Sequence, residues 1–444
     1  MRIFNKKRII RLEQQSQSAN LMQWLLLLPF GFGVLIELLP FPNAVKYICD
    51  LLWVSLLVLL LRQRWVITRA YSLLCSWVLL FLLYTAVTYV AFWQSPLYYL
   101  WGLRNNFRYY AAFLGFGYFL KEKQIEKLFR MLDCLFWVDF LISLVQYYGF
   151  GIAGDHLGGL FGAKQGCNGY SVIFFTVVIV RSVVFCLEGK EPVSKCILKC
   201  TAALYLSVLA ELKFFFAAFV VIVALAVLMT NYSWRKLVLV LGSAIGVAVC
   251  TAWMAKLFSD GSRWFSLKWM WEVVTSDRGY TSSGDLNRLT AIGQINELWL
   301  KEWPQRLFGM GLGNCDASSF SVVNTPFYRE HGDMHYTWMS YALMYLETGY
   351  IGLVFYWGFF ALTCLCARRI EKRSAGMARS YCRVSRIIAV LCMVISVYNS
   401  SLRTEAGYMV YFVLAVPFAL GRTGTDGRSD GNDRACNVRT AENV

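Results

Sequence analysis

The chain has 444 residues, of which 58% are hydrophobic and 16% aromatic, and only 16% are charged, against roughly 25% in an ordinary soluble domain. With a mean hydropathy of +0.49, this balance excludes a soluble globular enzyme and describes a polytopic, all-α integral membrane protein. A formal charge of +16 would suggest nucleic acid in a soluble chain, but here Lys and Arg sit in short turns between apolar runs, where they report topology and not a nucleic-acid partner.

In chain order, residues 1–20 form a basic arm with Arg2, Lys6, Lys7, Arg8 and Arg11. The apolar run 21–40 follows. No small-residue cleavage site after a shorter apolar core is evident, so this run reads as a retained first span and not a cleaved signal peptide. Runs at about 46–61, 71–93, 100–120, 131–150, 170–187, 199–212, 214–230 and 237–256 complete a membrane part of nine spans over 21–256. A polar stretch, 257–336, separates them from three more runs at about 347–367, 387–402 and 406–421, a second membrane part over 337–421. The total is about twelve spans. The Gly-, Asp- and Arg-rich tail 422–444 reads as disordered.

Charge tests this arrangement, because inside loops collect Lys and Arg. Alternate loops carry Arg62, Arg64 and Arg69, then Lys121, Lys123, Lys127 and Arg130, then Lys190, Lys195 and Lys199, then Arg235 and Lys236. The last of them is the densest, with Arg368, Arg369, Lys372, Arg373, Arg379, Arg383 and Arg386. The short loops between are nearly bare. This alternation predicts both termini inside and 257–336 outside. Most of the fourteen Cys lie in apolar runs or beside basic turns and read as small buried hydrophobes; Cys167 and Cys315 fall outside and are within the class that could pair.

Against this pattern, five outside cations stand out: Arg104 and Arg108 in Trp101-Gly102-Leu103-Arg104-Asn105-Asn106-Phe107-Arg108, Lys213 in Glu211-Leu212-Lys213, Arg288 in the long loop, and Arg403 before the last run. Charge at membrane depth is costly and needs a reason. One reading is snorkelling or pairing, Lys213 with Glu211 and Arg403 with Glu405. The other is a shared anion site at the outer surface, which the number of such residues favours.

Within the long loop, Asp285 is placed to cap a helix from Leu286, and Leu289, Ile292, Ile295, Trp299 and Trp303 keep helical spacing until Pro304. Arg288 then falls in the first turn. The run Leu307-Phe308-Gly309-Met310-Gly311-Leu312-Gly313-Asn314 follows a helix and not a strand, which excludes a dinucleotide loop and predicts a tight turn against the membrane. The loop closes with Arg329-Glu330-His331-Gly332-Asp333-Met334-His335. A lone histidine is usually structural, but His335 stands where a water-exposed loop meets the bilayer, and imidazole is the side chain best suited to take a proton near neutral pH. His331 could share a helical face with it, yet no acidic or thiol ligand at matching spacing supports a metal. Glu347, beyond the aromatic segment 336–346, is a candidate buried carboxylate.

Arg288, the Phe308-Gly309-Met310-Gly311-Leu312-Gly313 run, His335 and the turn Glu347-Thr348-Gly349-Tyr350-Ile351-Gly352 together resemble the O-antigen ligase and Wzy-type O-antigen polymerase superfamily. The stretch from Gly159-Leu160-Phe161-Gly162 to Asn168 is similar to the Gly-to-Asn turn such proteins carry before a middle span. The resemblance covers the whole architecture through short, degenerate motifs. It implies a GT-C-like fold in the cell inner membrane with the termini cytoplasmic. The implied activity is extracytoplasmic glycosyl transfer that polymerises undecaprenyl-diphosphate-linked repeats into O-antigen, capsule or exopolysaccharide, with no cofactor and no metal. His335 would be the general base, and Arg288 and Lys213 would hold the diphosphate. Arginine is common at the latter position, and Lys supplies charge without a bidentate fork. Arg104, Arg108, Arg403 and Glu347 would be further substrate-binding groups. Membrane lipids, a chain-length regulator and a flippase are the other implied partners.

Elementary chemistry points the same way. A departing diphosphate needs fixed positive charge. The first outside loop, Phe41-Pro42-Asn43-Ala44-Val45, has no carboxylate, and 259–335 has no Asp-x-Asp, which leaves cationic side chains. Ligase-type transfer to lipid A core or protein is the alternative; the polymerase is preferred because His335 does not open a His-Asn or His-Ser pair. A flippase or transporter is the competing class, but such folds usually show related halves, and no half-repeat is visible.

Overall fold

The computed structural model describes residues 2–39, 41–63, 67–231, 233–257, 284–318 and 320–422. Residues 258–283 of the predicted outer loop and 423–444 of the predicted tail lie outside the described residues, as does Arg64. Every apolar run is helical, and no strand occurs among the described residues. In chain order the helices are α1 (Arg2–Gly33), α2 (Ile48–Leu61), α3 (Arg69–Ala91), α4 (Pro96–Phe119), α5 (Glu122–Leu144), α6 (Asn168–Leu187), α7 (Val193–Leu209), α8 (Lys213–Met229) and α9 (Trp234–Leu257). Among the described residues, three short helices, α10 (Ala291–Leu298), α11 (Trp303–Phe308) and α12 (Pro326–His331), belong to the long loop. The bundle ends with α13 (Ser340–Glu371), α14 (Gly376–Tyr398) and the shorter α15 (Gly407–Arg422).

Seven of the described helices are long and apolar enough to cross a membrane: Gln17–Glu37, Asn43–Leu61, α3, α6, α9, α13 and α14. Burial sorts them. Helix α6 is enclosed on nearly every side, whereas α2, α3 and α9 turn Leu51, Leu61, Leu79, Val87, Leu237 and Ile245 outward, each more than half exposed. Water would not tolerate so much exposed aliphatic surface, and hydrocarbon does. The protein is a helical membrane protein.

The architecture at the long-loop end of the bundle turns on one backbone break. Inside α13, Gly349 adopts φ 64° and ψ −167°, which ends one helical segment and starts another. Such a break frees carbonyls that lipid cannot satisfy. The Gly-rich run supplies the donors: Met310 N–H donates to Leu346 O at 2.9 Å and Gly311 N–H to Glu347 O at 2.7 Å, while the Tyr84 hydroxyl donates to Thr348 O at 2.6 Å. The approach is so close that a Cβ on Gly309 would lie 2.5 Å from the Glu347 carbonyl carbon, and Gly309 itself has φ +73°. The predicted tight turn is therefore present, and its N–H groups are committed to α13 and not to a phosphate.

The loop helix differs from expectation. It runs over Ala291–Leu298 with Thr290 at its N-cap, so Arg288 lies in the turn before it, and Asp285 is buried without capping it. Pro304 does not end this helix; it occupies the first turn of α11, behind a Glu302–Gln305 capping box, where its missing N–H costs nothing. His331 and His335 do not share a helical face. Helix α12 ends at His331, and His335 sits in a left-handed conformation with φ 55°. Cys167 and Cys315 are both free thiols.

Gly309→Ala, which meets backbone at a positive φ, is expected to cost about 2 kcal/mol or more, whereas Gly293→Ala, with open space around its Cβ in the middle of α10, is expected to stabilise by about 0.5–1 kcal/mol. Thermal unfolding of the two variants in detergent checks the ranking; equal melting temperatures would contradict it.

Candidate functional site

The predicted residues gather at one end of the bundle in two groups. The first is an ion-pair network. On α4, Arg104 donates from Nε and Nη2 to Asp50 Oδ2 at 2.9 and 2.8 Å and from Nη1 to Asn105 Oδ1 at 2.7 Å, with Tyr47 and Trp101 against its guanidinium. Asn105 in turn donates to Asp316 Oδ2 at 2.7 Å, and the same oxygen accepts from Arg403 Nη2 at 2.5 Å. One turn along α4, Arg108 reaches Glu405 Oε1 at 3.3 Å, the Arg403 carbonyl at 2.7 Å and the Tyr109 hydroxyl at 2.6 Å. Tyr170 donates to Glu405 Oε2 at 2.5 Å, and Lys46 Nζ lies 3.4 Å from that hydroxyl.

Glu347 is buried beside this network, with Oε1 accepting from the Cys315 N–H at 3.2 Å and Oε2 without a hydrogen-bond partner among the described residues. Burial works against the Arg403 charge, yet Asp316 and Glu347 raise its pKa above the ordinary arginine value. Arg403 therefore pairs with Asp316, not with Glu405. Lys213 does pair with Glu211, at 2.7 Å and with both side chains over a quarter exposed. Arg104, Arg108, Arg403 and Lys213 are thus each matched to a carboxylate.

The second group is built around Arg288. Its Nε donates to the Tyr398 carbonyl at 2.7 Å and its guanidinium stacks 4.4 Å from the Tyr398 ring, while its own carbonyl accepts from the Tyr341 hydroxyl. Arg288 lines an apolar groove of about 500 Å³ together with Phe214, Trp357, Met393, Val397 and Tyr398. Phe214 stacks on Tyr398 at 4.3 Å, which places the N-terminus of α8, and so Lys213, at the same groove. His335 is tied in through backbone: Leu286 N–H donates to Met334 O at 3.0 Å, one residue before His335 and two before Arg288. Its ring packs on Trp338 at 3.8 Å between centroids, and its Nδ1 is buried without a hydrogen-bond partner among the described residues. Left-handed backbone is uncommon for a non-glycine residue and is retained where surrounding structure enforces it. The link between the groups is the segment from the last residue of α14 onward, which supplies Tyr398 to Arg288, Arg403 to Asp316 and Glu405 to Arg108.

Sequence reading missed Asp50, Asp316 and Tyr170 as partners, and Lys46 as an outer cation. Lys46 follows the first outside loop directly, and the topology rule that singled out Arg104 would have found it. His331 is packed between Trp299 and Phe327, and among the described residues no group of three metal-ligating side chains occurs.

Removing one member of a buried pair strands the other, at about 3–5 kcal/mol, whereas an exposed pair contributes under about 1 kcal/mol. Arg403→Gln is therefore expected to destabilise far more than Lys213→Gln, as read by unfolding midpoints. Glu405, in the turn before α15, adds a pH test. Burial opposes its charge, but Arg108, Lys46 and the Tyr170 hydroxyl outweigh burial and hold its pKa below the ordinary 4.5. A depressed carboxylate pKa stabilises above that value, and the contribution is lost as pH falls through the folded-state value. Wild type should lose stability below pH 4.5, while Glu405→Gln starts lower and has a flatter profile there; parallel profiles would contradict this role for Glu405.

No protein-family model matches the chain, and no curated protein matches it.

Proposed function

We propose that the chain is an inner-membrane glycosyltransferase with about twelve spans, a GT-C-like arrangement and cytoplasmic termini. In this reading it joins undecaprenyl-diphosphate-linked oligosaccharide repeats into O-antigen, capsule or exopolysaccharide outside the membrane. The observation that carries this reading is the groove at Arg288. It is lined by α14 from Met393 to Tyr398, by Trp357 and Phe214, and by the Arg288 side chain. An apolar groove with a guanidinium among its lining residues fits a long-chain lipid whose charged headgroup is a diphosphate. The N-terminus of α8, with Lys213, adds a positive helix end beside it.

The chemistry follows. An acceptor sugar hydroxyl attacks the anomeric carbon of the donor glycan, a new carbon–oxygen bond forms there, and the bond from that carbon to the diphosphate oxygen breaks. His335 takes the hydroxyl proton. The departing polyprenyl diphosphate carries its negative charge onto Arg288, fixed in advance by Tyr398. Glu347, Arg104, Arg108 and Arg403 shape the polar floor on which glycan hydroxyls rest.

The surface-glycan ladder of the source cells tests this with His335→Ala and Arg288→Ala at matched protein level. Long chains should vanish in both, leaving single repeats on their acceptor. Full-length polymer retained on the lipid carrier would instead identify a ligase that transfers to lipid A core or protein, and an unchanged ladder would return the flippase reading.

A further inference from the structure

At the opposite end of the bundle, the chain after α6 from Glu188 to Lys190, Asn231 and Ser233 between α8 and α9, and the start of α14 at Gly376 converge. They enclose a polar cavity of about 310 Å³ lined by Glu188, Lys190, Asn231, Ser233, Arg379 and Arg383. Its charges do not balance. Glu188 accepts from Lys190 at 2.8 Å and from Arg383 at 2.7 Å. Glu371 accepts from Arg383 at 2.8 Å and also holds Arg386.

Two more cations stand by. Arg235 is so close to the turn that a Cβ on Gly189 would lie 2.5 Å from its Nη1. Arg379 is exposed and donates from Nε to the Ser374 carbonyl at 3.1 Å, with no carboxylate partner among the described residues. Among the residues lining the cavity, one carboxylate, Glu188, thus faces three cations, Lys190, Arg379 and Arg383. The Ser233 hydroxyl, on the cavity wall, has no hydrogen-bond partner among the described residues.

We propose that this cavity binds a phosphate anion, either the phosphodiester of an acidic phospholipid headgroup or free phosphate. A phosphate offers several acceptor oxygens to donors that the protein leaves in surplus, and a basic recess between helix ends is where an acidic headgroup meets a membrane protein. Arg379 is the cation free to pair with it, and Ser233 and Asn231 are neutral donors. The site does not depend on the outer-face chemistry, since α14 separates the two by its full length.

The test is thermal unfolding of the purified full-length protein in neutral detergent, titrated with phosphatidylglycerol, phosphatidylcholine or inorganic phosphate. Wild type should show a saturable upward shift with phosphatidylglycerol, with inorganic phosphate, or with both, and the half-saturating concentration should rise about tenfold or more in Arg379→Gln, the loss of one charge-assisted contact. A shift by phosphatidylglycerol alone identifies a lipid headgroup; a shift by inorganic phosphate that blocks the lipid effect identifies free phosphate. Phosphatidylcholine acting as well as phosphatidylglycerol, or curves unmoved in Arg379→Gln, would overturn the proposal. If that variant is not recovered, Asn231→Ala serves, with a smaller rightward shift expected and an unmoved curve again decisive against it.

Discussion

The interaction on which the long-loop end of the bundle depends is the pair of backbone hydrogen bonds from Met310 and Gly311 to the carbonyls of Leu346 and Glu347. A helix broken at Gly349 within a bilayer would leave acceptors that hydrocarbon cannot satisfy, and the strap repairs the break. By repairing it, the strap pulls the chain from Gly309 to Asp316 into the bundle beside α4, where a Cβ on Gly102 would lie 2.6 Å from the Gly313 nitrogen. That single docking sets Cys315 N–H on the Glu347 carboxylate and Asp316 between Asn105 and Arg403. The glycines are spent on close approach and leave no free N–H row for an anion. The burden of holding negative charge passes to side chains.

Those side chains divide by environment. Arg104, Arg108 and Arg403 are matched to Asp50, Glu405 and Asp316, so their charge mostly cancels locally and their value is geometric. Arg288 is held against the Tyr398 carbonyl and ring and lines the apolar groove, the geometry on which the proposed diphosphate site rests. At the opposite end the cavity lined by Glu188, Lys190, Arg379 and Arg383 carries more positive than negative side chains.

Much of this was legible because hydropathy and charge act locally. Each apolar run became a helix, and the loop glycines signalled a close turn, since both follow from short stretches read alone. The Lys213–Glu211 contact was equally legible, being two residues apart. The ion-pair partners were not, because Arg104 meets Asp50 across 54 positions, Arg403 meets Asp316 across 87 and Arg108 meets Glu405 across 297. Periodicity also misled at α10: Leu289 and Trp303 keep the spacing, but the buried Asp285 and the preference of Pro304 for a first turn shortened the helix at both ends. His335 was readable as a residue at a boundary; its left-handed backbone was not, because nothing in its neighbours demands it locally.

The central claim, that Arg288 and His335 serve glycosyl transfer from a polyprenyl diphosphate, is tested most directly with purified protein in bilayers supplied with lipid-linked oligosaccharide repeats, by following free polyprenyl diphosphate and glycan length together. Release of the diphosphate is expected in step with chain growth, both abolished by His335→Ala while the bound lipid is retained. Contradiction would be intact lipid-linked repeats after prolonged incubation of the wild-type protein, or turnover that His335→Ala leaves undiminished.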